Sequence, residues 1–117
     1  MKTGVGLFMY FVHDEYACKF RKMLTIEQFR DNELALLFSK QYNDAPLSYQ
    51  SAMFNMLCAG GILEAYDTDI MALHFYAPIY MLMTIHDRQP EREEELLSML
   101  ERHIRQFSRI YSKGEHK

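Results

Sequence analysis

Basic residues are the scarce class in this chain: 13 Lys and Arg against 16 Asp and Glu leave a formal charge of -3. A nucleic-acid binder depends on concentrated Lys and Arg to release condensed counterions, so no nucleic-acid contact by this chain alone is expected. Glycine (five) and proline (three) are sparse, and Gly60-Gly61 precedes no Lys-Ser/Thr pair, which excludes a glycine-rich phosphate loop. The two cysteines, Cys18 and Cys58, have neither metal-site spacing nor disulfide density; reduced thiols in a cytoplasmic protein are expected. No apolar run approaches the roughly 20 residues that cross a bilayer. The short stretch from Val5 to Val12 also lacks the small-residue cleavage site of a secretory leader.

What is abundant is apolar side chain. Of 117 residues, 49% are hydrophobic, with nine Met, eight Phe and eight Tyr. That is a generous supply for a single domain with one modest core. Either a cavity lined by large side chains uses the surplus, or another chain covers it, or both.

The pattern is helical throughout. The six apolar residues Leu7–Val12 fit strand or helix by periodicity alone. They are read as the tail of a longer helix, with Gly4 and Gly6 opposing firm helix before Leu7. Asp14 caps a helix to about Gln28, with Phe20, Met23 and Leu24 on its buried stripe and Lys19, Arg21, Lys22 and Glu27 toward water. Asp31 or Asn32 starts a segment carrying Leu34, Leu37, Phe38 and Tyr42. Asn43-Asp44-Ala45-Pro46 reads as a break, with Pro46 in the first turn of the next helix. Gly60-Gly61 stops that helix. Asp67 and Thr68 open a helix to Ile85 or His86 that is apolar almost all round and contains Pro78. The last helix, about Glu91 to Tyr111, has acidic residues at its start, basic residues at its end and an apolar stripe.

The fold class expected is therefore all-α, with five to six helices. The final two form an antiparallel hairpin that pairs with a second copy as an intermolecular four-helix bundle. Candidate dimer contacts are His74, Ala77, Met81, Ile85, Leu100, His103, Ile104 and Phe107.

Chemistry-bearing patterns are few. No two histidines lie three or four residues apart, so a metal site needs ligands from different helices, and none is expected. His74 and His103 meeting across the dimer would make it acid-sensitive. No serine lies in a strand-to-helix elbow, and a Cys58–His74 pair is outweighed by a packed thiol; the chain is not expected to be an enzyme or to hold a cofactor. The aromatic and Met residues either fill the core or line a pocket for a small hydrophobic effector. The candidate lining is Phe20, Met23, Tyr49, Gln50, Met53, Phe54, Phe75, Tyr76, Tyr80 and Met83.

The runs FRKMLTIEQFRDNELALLFSKQYNDAP, LSYQSAMFNMLCAGGILEAYDTDIMALHFYAPIYMLM and EREEELLSMLERHIRQFSRIY, in that order, resemble the C-terminal domain of the tetracycline-repressor (TetR) family of bacterial transcriptional regulators. Glu27-Gln28-Phe29-Arg30 before Asn32-Glu33-Leu34, the Gly60-Gly61 stop before Asp67, and Met71 through Pro78 carry the likeness over residues 16–112. The resemblance implies a ligand-binding and dimerising domain whose last two helices make the dimer. It also implies residues 1–15 as the remnant of a connecting helix; past the last helix, 113–117 read as a frayed tail. DNA binding would belong to full-length relatives carrying a helix-turn-helix domain. The alternative is a homodimeric helical interaction module with a solid core and no ligand.

Overall fold

A computed structural model describes residues 2–113, in which every regular element is helical. The α-helices are α1 (Lys2–His13), α2 (Glu15–Glu27), α3 (Asn32–Ser39), α4 (Ala45–Ala59), α5 (Thr68–Arg88) and α6 (Glu93–Tyr111). A π-helical turn, Lys40–Asp44, runs α3 into α4, so the six segments make five uninterrupted rods. A 3-10 turn, Pro90–Arg92, leads into α6.

Local chemistry sets most of the boundaries. The Asp14 carboxylate accepts from the Ala17 N–H at 2.9 Å, and Asp31 accepts from the Glu33 N–H at 2.8 Å. Asp67 accepts from the Asp69 N–H at 3.0 Å; each cap satisfies a donor the first helical turn leaves free. At the end of α4, Gly61 takes a φ of 76°, a left-handed conformation suited to glycine. The chain then turns back, with the Ile62 N–H on the Leu57 carbonyl at 3.0 Å.

Two backbone expectations are corrected. Helix continues through Gly4 and Gly6, because α1 packs its Phe8 and Val12, four residues apart, into the main core beside α5 and α6. Tertiary burial outweighs the glycine cost of about 1 kcal/mol each. The Asn43–Pro46 region is likewise helical. Pro46 has no N–H for the Tyr42 carbonyl one turn back, and the backbone widens there, with the Ala45 N–H reaching Lys40. The freed Tyr42 carbonyl accepts a 2.8 Å hydrogen bond from the buried Tyr76 hydroxyl.

The main core lies between α1, α4, α5 and α6 around Phe54, Phe75 and Phe107. Their ring centroids lie 5.1–5.7 Å apart, a mutually edge-on or tilted trio. A smaller cluster, Leu24, Phe38 and Tyr42, joins α2 to the α3–α4 rod. Arg21, expected in water, is 1% exposed beside it. Its guanidinium pairs with Asp87 at the end of α5 and donates to the Phe11 carbonyl at 2.6 Å. This pair bolts α2 to α1 and α5. Lys113, assigned to a frayed tail, is tied down instead: its N–H reaches the Ile62 carbonyl at 3.1 Å, beside the Glu64 N–H on Tyr111. Residues 114–117, the rest of that tail, lie outside the described residues.

Candidate functional site

α5 decides which surfaces are available, because it is apolar on both sides. Its inward side (Met71, Phe75, Ile79, Leu82 and Met83) is buried. Its outward side repeats at helical spacing as Ile70 (55% exposed), Leu73 (49%), Ala77 and Met81 (56%). Met99 and Ile110 on α6 are exposed as well. A shallow groove of about 280 Å³ opens on α6, lined by His74, Met99, Arg102, His103, Gln106 and Phe107.

Three of the eight expected dimer contacts are corrected by this geometry. Leu100, Ile104 and Phe107 sit in the core of the single chain, since α6 turns its Leu96–Phe107 stripe inward against α1 and α5. Ile85 is half-buried against the same core. His74, Ala77 and Met81 remain on the open face. His74 and His103 meet within one chain, ring centroids 6.1 Å apart. His74 Nδ1 is hydrogen-bonded to the Tyr111 hydroxyl at 3.0 Å, and His103 Nε2 donates to the Phe75 carbonyl at 3.0 Å.

The expected effector lining is dispersed. Phe54, Phe75 and Met83 are core, filled by neighbours. Tyr76 and Gln50 are buried, and the Tyr76 hydroxyl is spent on Tyr42. Burial holds the Tyr76 phenol well above its ordinary pKa, with the neighbouring Tyr80 and Tyr42 adding to the shift. Tyr49 and Met23 face outward, and Phe20 and Met53 are half-buried, Phe20 stacked on Tyr16. Entry between α4 and α5 is closed where Ser51 donates to Asp69 at 2.6 Å and Thr68 to Asn55 at 2.8 Å. Cys58 does not face His74 chemistry; its thiol donates to the Glu64 carbonyl at 3.2 Å.

Tyr80 alone among those candidates lines a groove of about 540 Å³ between α2 and α5. Ile26, Phe29 and Phe38 give it apolar walls. Lys22, Gln28, Thr84 and Arg88 supply polar groups, and the Arg21–Asp87 pair lies at its base. Its size falls within the range of small-molecule sites, about 300–1,000 Å³. Sequence spacing could not show it, because its walls come from α2, the turn Gln28–Phe29, α3 and α5, which only the fold brings together.

A third grouping joins three helices. His13 ends α1, His86 lies near the end of α5, and Glu93 begins α6. Both imidazoles place Nε2 2.7 Å from the same Glu93 oxygen, Oε1. The His86 hydrogen bond holds the Glu93 carboxyl below its ordinary range, with His13 contributing. These are the described residues able to gather three metal-ligating atoms, and their wide separation along the chain hid them from any spacing rule.

No protein-family model matches the chain, and comparisons with curated proteins and with solved structures likewise find no match. Among the described residues no helix is long and apolar enough to cross a membrane.

Proposed function

We propose that this chain is the dimerising, effector-binding domain of a TetR-like transcriptional regulator, with α5 and α6 forming an antiparallel hairpin that meets its twin in a four-helix bundle. The observation that carries the reading is the outward stripe of α5, Ile70–Leu73–Ala77–Met81. A contiguous row of apolar side chains left in water along one helix marks an interaction face. Ala77 at its middle permits close approach of two helix backbones.

The charge order of α6 favours a second copy as the partner. Exposed Glu94, Glu95 and Glu101 lie toward its start, and exposed Arg102, Arg105 and Arg109 toward its end. A two-fold axis sets the acidic end of one α6 beside the basic end of the other, a self-complementary arrangement. The effector site in this reading is the α2–α5 groove rather than the filled interior. An amphipathic molecule would lay its apolar part on Phe29, Phe38 and Tyr80 and its polar end toward Lys22, Gln28 or Arg88. Occupancy shifts the α2–α5 packing only so far as the ligand binds one arrangement better than the other. Because the groove rests on α5, such a shift is passed to the dimer face.

The filled Phe54–Phe75–Phe107 core is what favours the second reading, a homodimeric interaction module without a ligand. Two measurements test the pair. Met81→Glu should halve the sedimentation mass while keeping the helical circular dichroism; an unchanged mass contradicts the dimer face. A thermal-shift screen with amphipathic aromatic compounds should find a stabilising ligand whose effect is lost in Phe29→Ala. A stabilising ligand indifferent to that change contradicts the groove, and no ligand at all leaves the interaction module.

A further inference from the structure

We propose that His13, His86 and Glu93 bind one divalent transition-metal cation of the zinc class, which fastens the end of α1 to the end of α5 and the start of α6. Two imidazoles and one carboxylate form a nitrogen-and-oxygen donor set that suits Zn²⁺, whereas Mg²⁺ and Ca²⁺ take oxygen ligands. Each helix supplies one donor, and the three donor atoms lie within 4.8 Å of one another. Zinc bonds of about 2.0–2.1 Å at tetrahedral angles put ligand atoms about 3.3 Å apart. The two Nε2–Oε1 separations are 2.7 Å, so the donors need to open by about half an ångström around an ion of that geometry. The His13 side chain, 52% exposed, is free to make that adjustment.

The site is held from behind. The His86 side chain is 9% exposed, and the Phe8 ring meets its imidazole edge-on at 6.0 Å, fixing the ring's direction. Nearby cations are engaged elsewhere, Arg21 on Asp87 and Arg92 on Glu95. Among the described residues, Glu93 therefore serves the two histidines. Without metal, the Nε2–H groups donate to the carboxylate; with metal, the same nitrogens present lone pairs to the ion. Three protein donors leave a fourth position, reached past exposed His13, for water or for a donor atom of an incoming molecule.

The test uses the whole chain, carrying no appended histidines and stripped of metal by a chelator, titrated with Zn²⁺ by calorimetry at neutral pH. The expected result is one ion per chain, with affinity falling at least tenfold in His13→Ala and in Glu93→Gln and unchanged in His74→Ala. Because His13 is largely exposed, His13→Ala should keep the native helical spectrum and so separates lost ligation from lost fold. Zinc at a hundredfold excess over its dissociation constant should raise the wild-type Tm by roughly 10 °C and that of His13→Ala by about half as much or less. Wild-type chain that takes no more zinc than His13→Ala overturns the proposal. So does an affinity that depends on His74 rather than His13.

Discussion

α5 and α6 are neighbours of similar length, and they resolve their apolar surface in opposite ways. α6 is one-sided: Leu96, Leu100, Ile104 and Phe107 point into the core, and the far side carries Glu94, Glu95, Glu101, Arg102, Arg105 and Arg109. The chain shelters that stripe by itself. α5 is two-sided, and α1, α4 and α6 cover one side while Ile70, Leu73, Ala77 and Met81 stay in water. A strongly amphipathic helix is satisfied by its own domain; one apolar all round needs cover on every side, and here the chain covers only one.

The comparison breaks most severely if the inward stripe of α6 is charged. Phe107→Asp puts a carboxylate inside the aromatic trio and should cost about 5 kcal/mol or more, enough to unfold a domain of ordinary stability. Loss of the helical circular dichroism checks this; a folded monomer instead would mean that Phe107 faces a partner. Phe75→Ala, on the inward side of α5, should lower stability by about 3–5 kcal/mol in urea titration with its helices retained. Arg21→Ala should cost about 3 kcal/mol, because it strands the Asp87 carboxylate at the end of α5. On the outward side the signature reverses: Met81→Glu should weaken self-association at least tenfold, about 1.4 kcal/mol, and leave the unfolding of the separated chain within about 0.5 kcal/mol of wild type.

The smallest effect concerns the flank of α5. Tyr76→Phe removes the donor to the Tyr42 carbonyl and should cost about 1 kcal/mol. The same substitution has a pH signature. The folded phenol is held above the ordinary tyrosine value of 10.0, so below that pH the folded and unfolded states are equally protonated and its contribution is complete. Above it the unfolded tyrosine ionises first, and stability declines as pH rises. Urea midpoints measured from pH 8 to pH 11 should therefore fall less steeply in Tyr76→Phe than in wild type.

Local chemistry made much of the fold legible. Asp14, Asp31 and Asp67 each cap the helix they precede, and the Gly60-Gly61 stop needs only its own backbone geometry. Where the deciding partner lies far along the chain, the reading fails. Arg21 looked like a solvated residue because nothing near it in sequence shows the carboxylate of Asp87. Asn43–Pro46 looked like a break because the donor that satisfies Tyr42, the Tyr76 hydroxyl, comes from another helix. Aromatic periodicity also could not rank its own members. Phe54 is fully buried and Tyr49, five residues earlier on the same helix, is 60% exposed, a choice made by the packing of α5 and α6 across α4. The α2–α5 groove and the His13–His86–Glu93 group are products of the same tertiary arrangement.

Sedimentation equilibrium of the wild-type chain across the micromolar range tests the central claim most directly. The outward stripe of α5 predicts a mass twice the 13.9 kDa of one chain, falling toward that value only on dilution. A mass of 13.9 kDa at every concentration would mean that Ile70, Leu73, Ala77 and Met81 are simply tolerated in water, and would contradict the account.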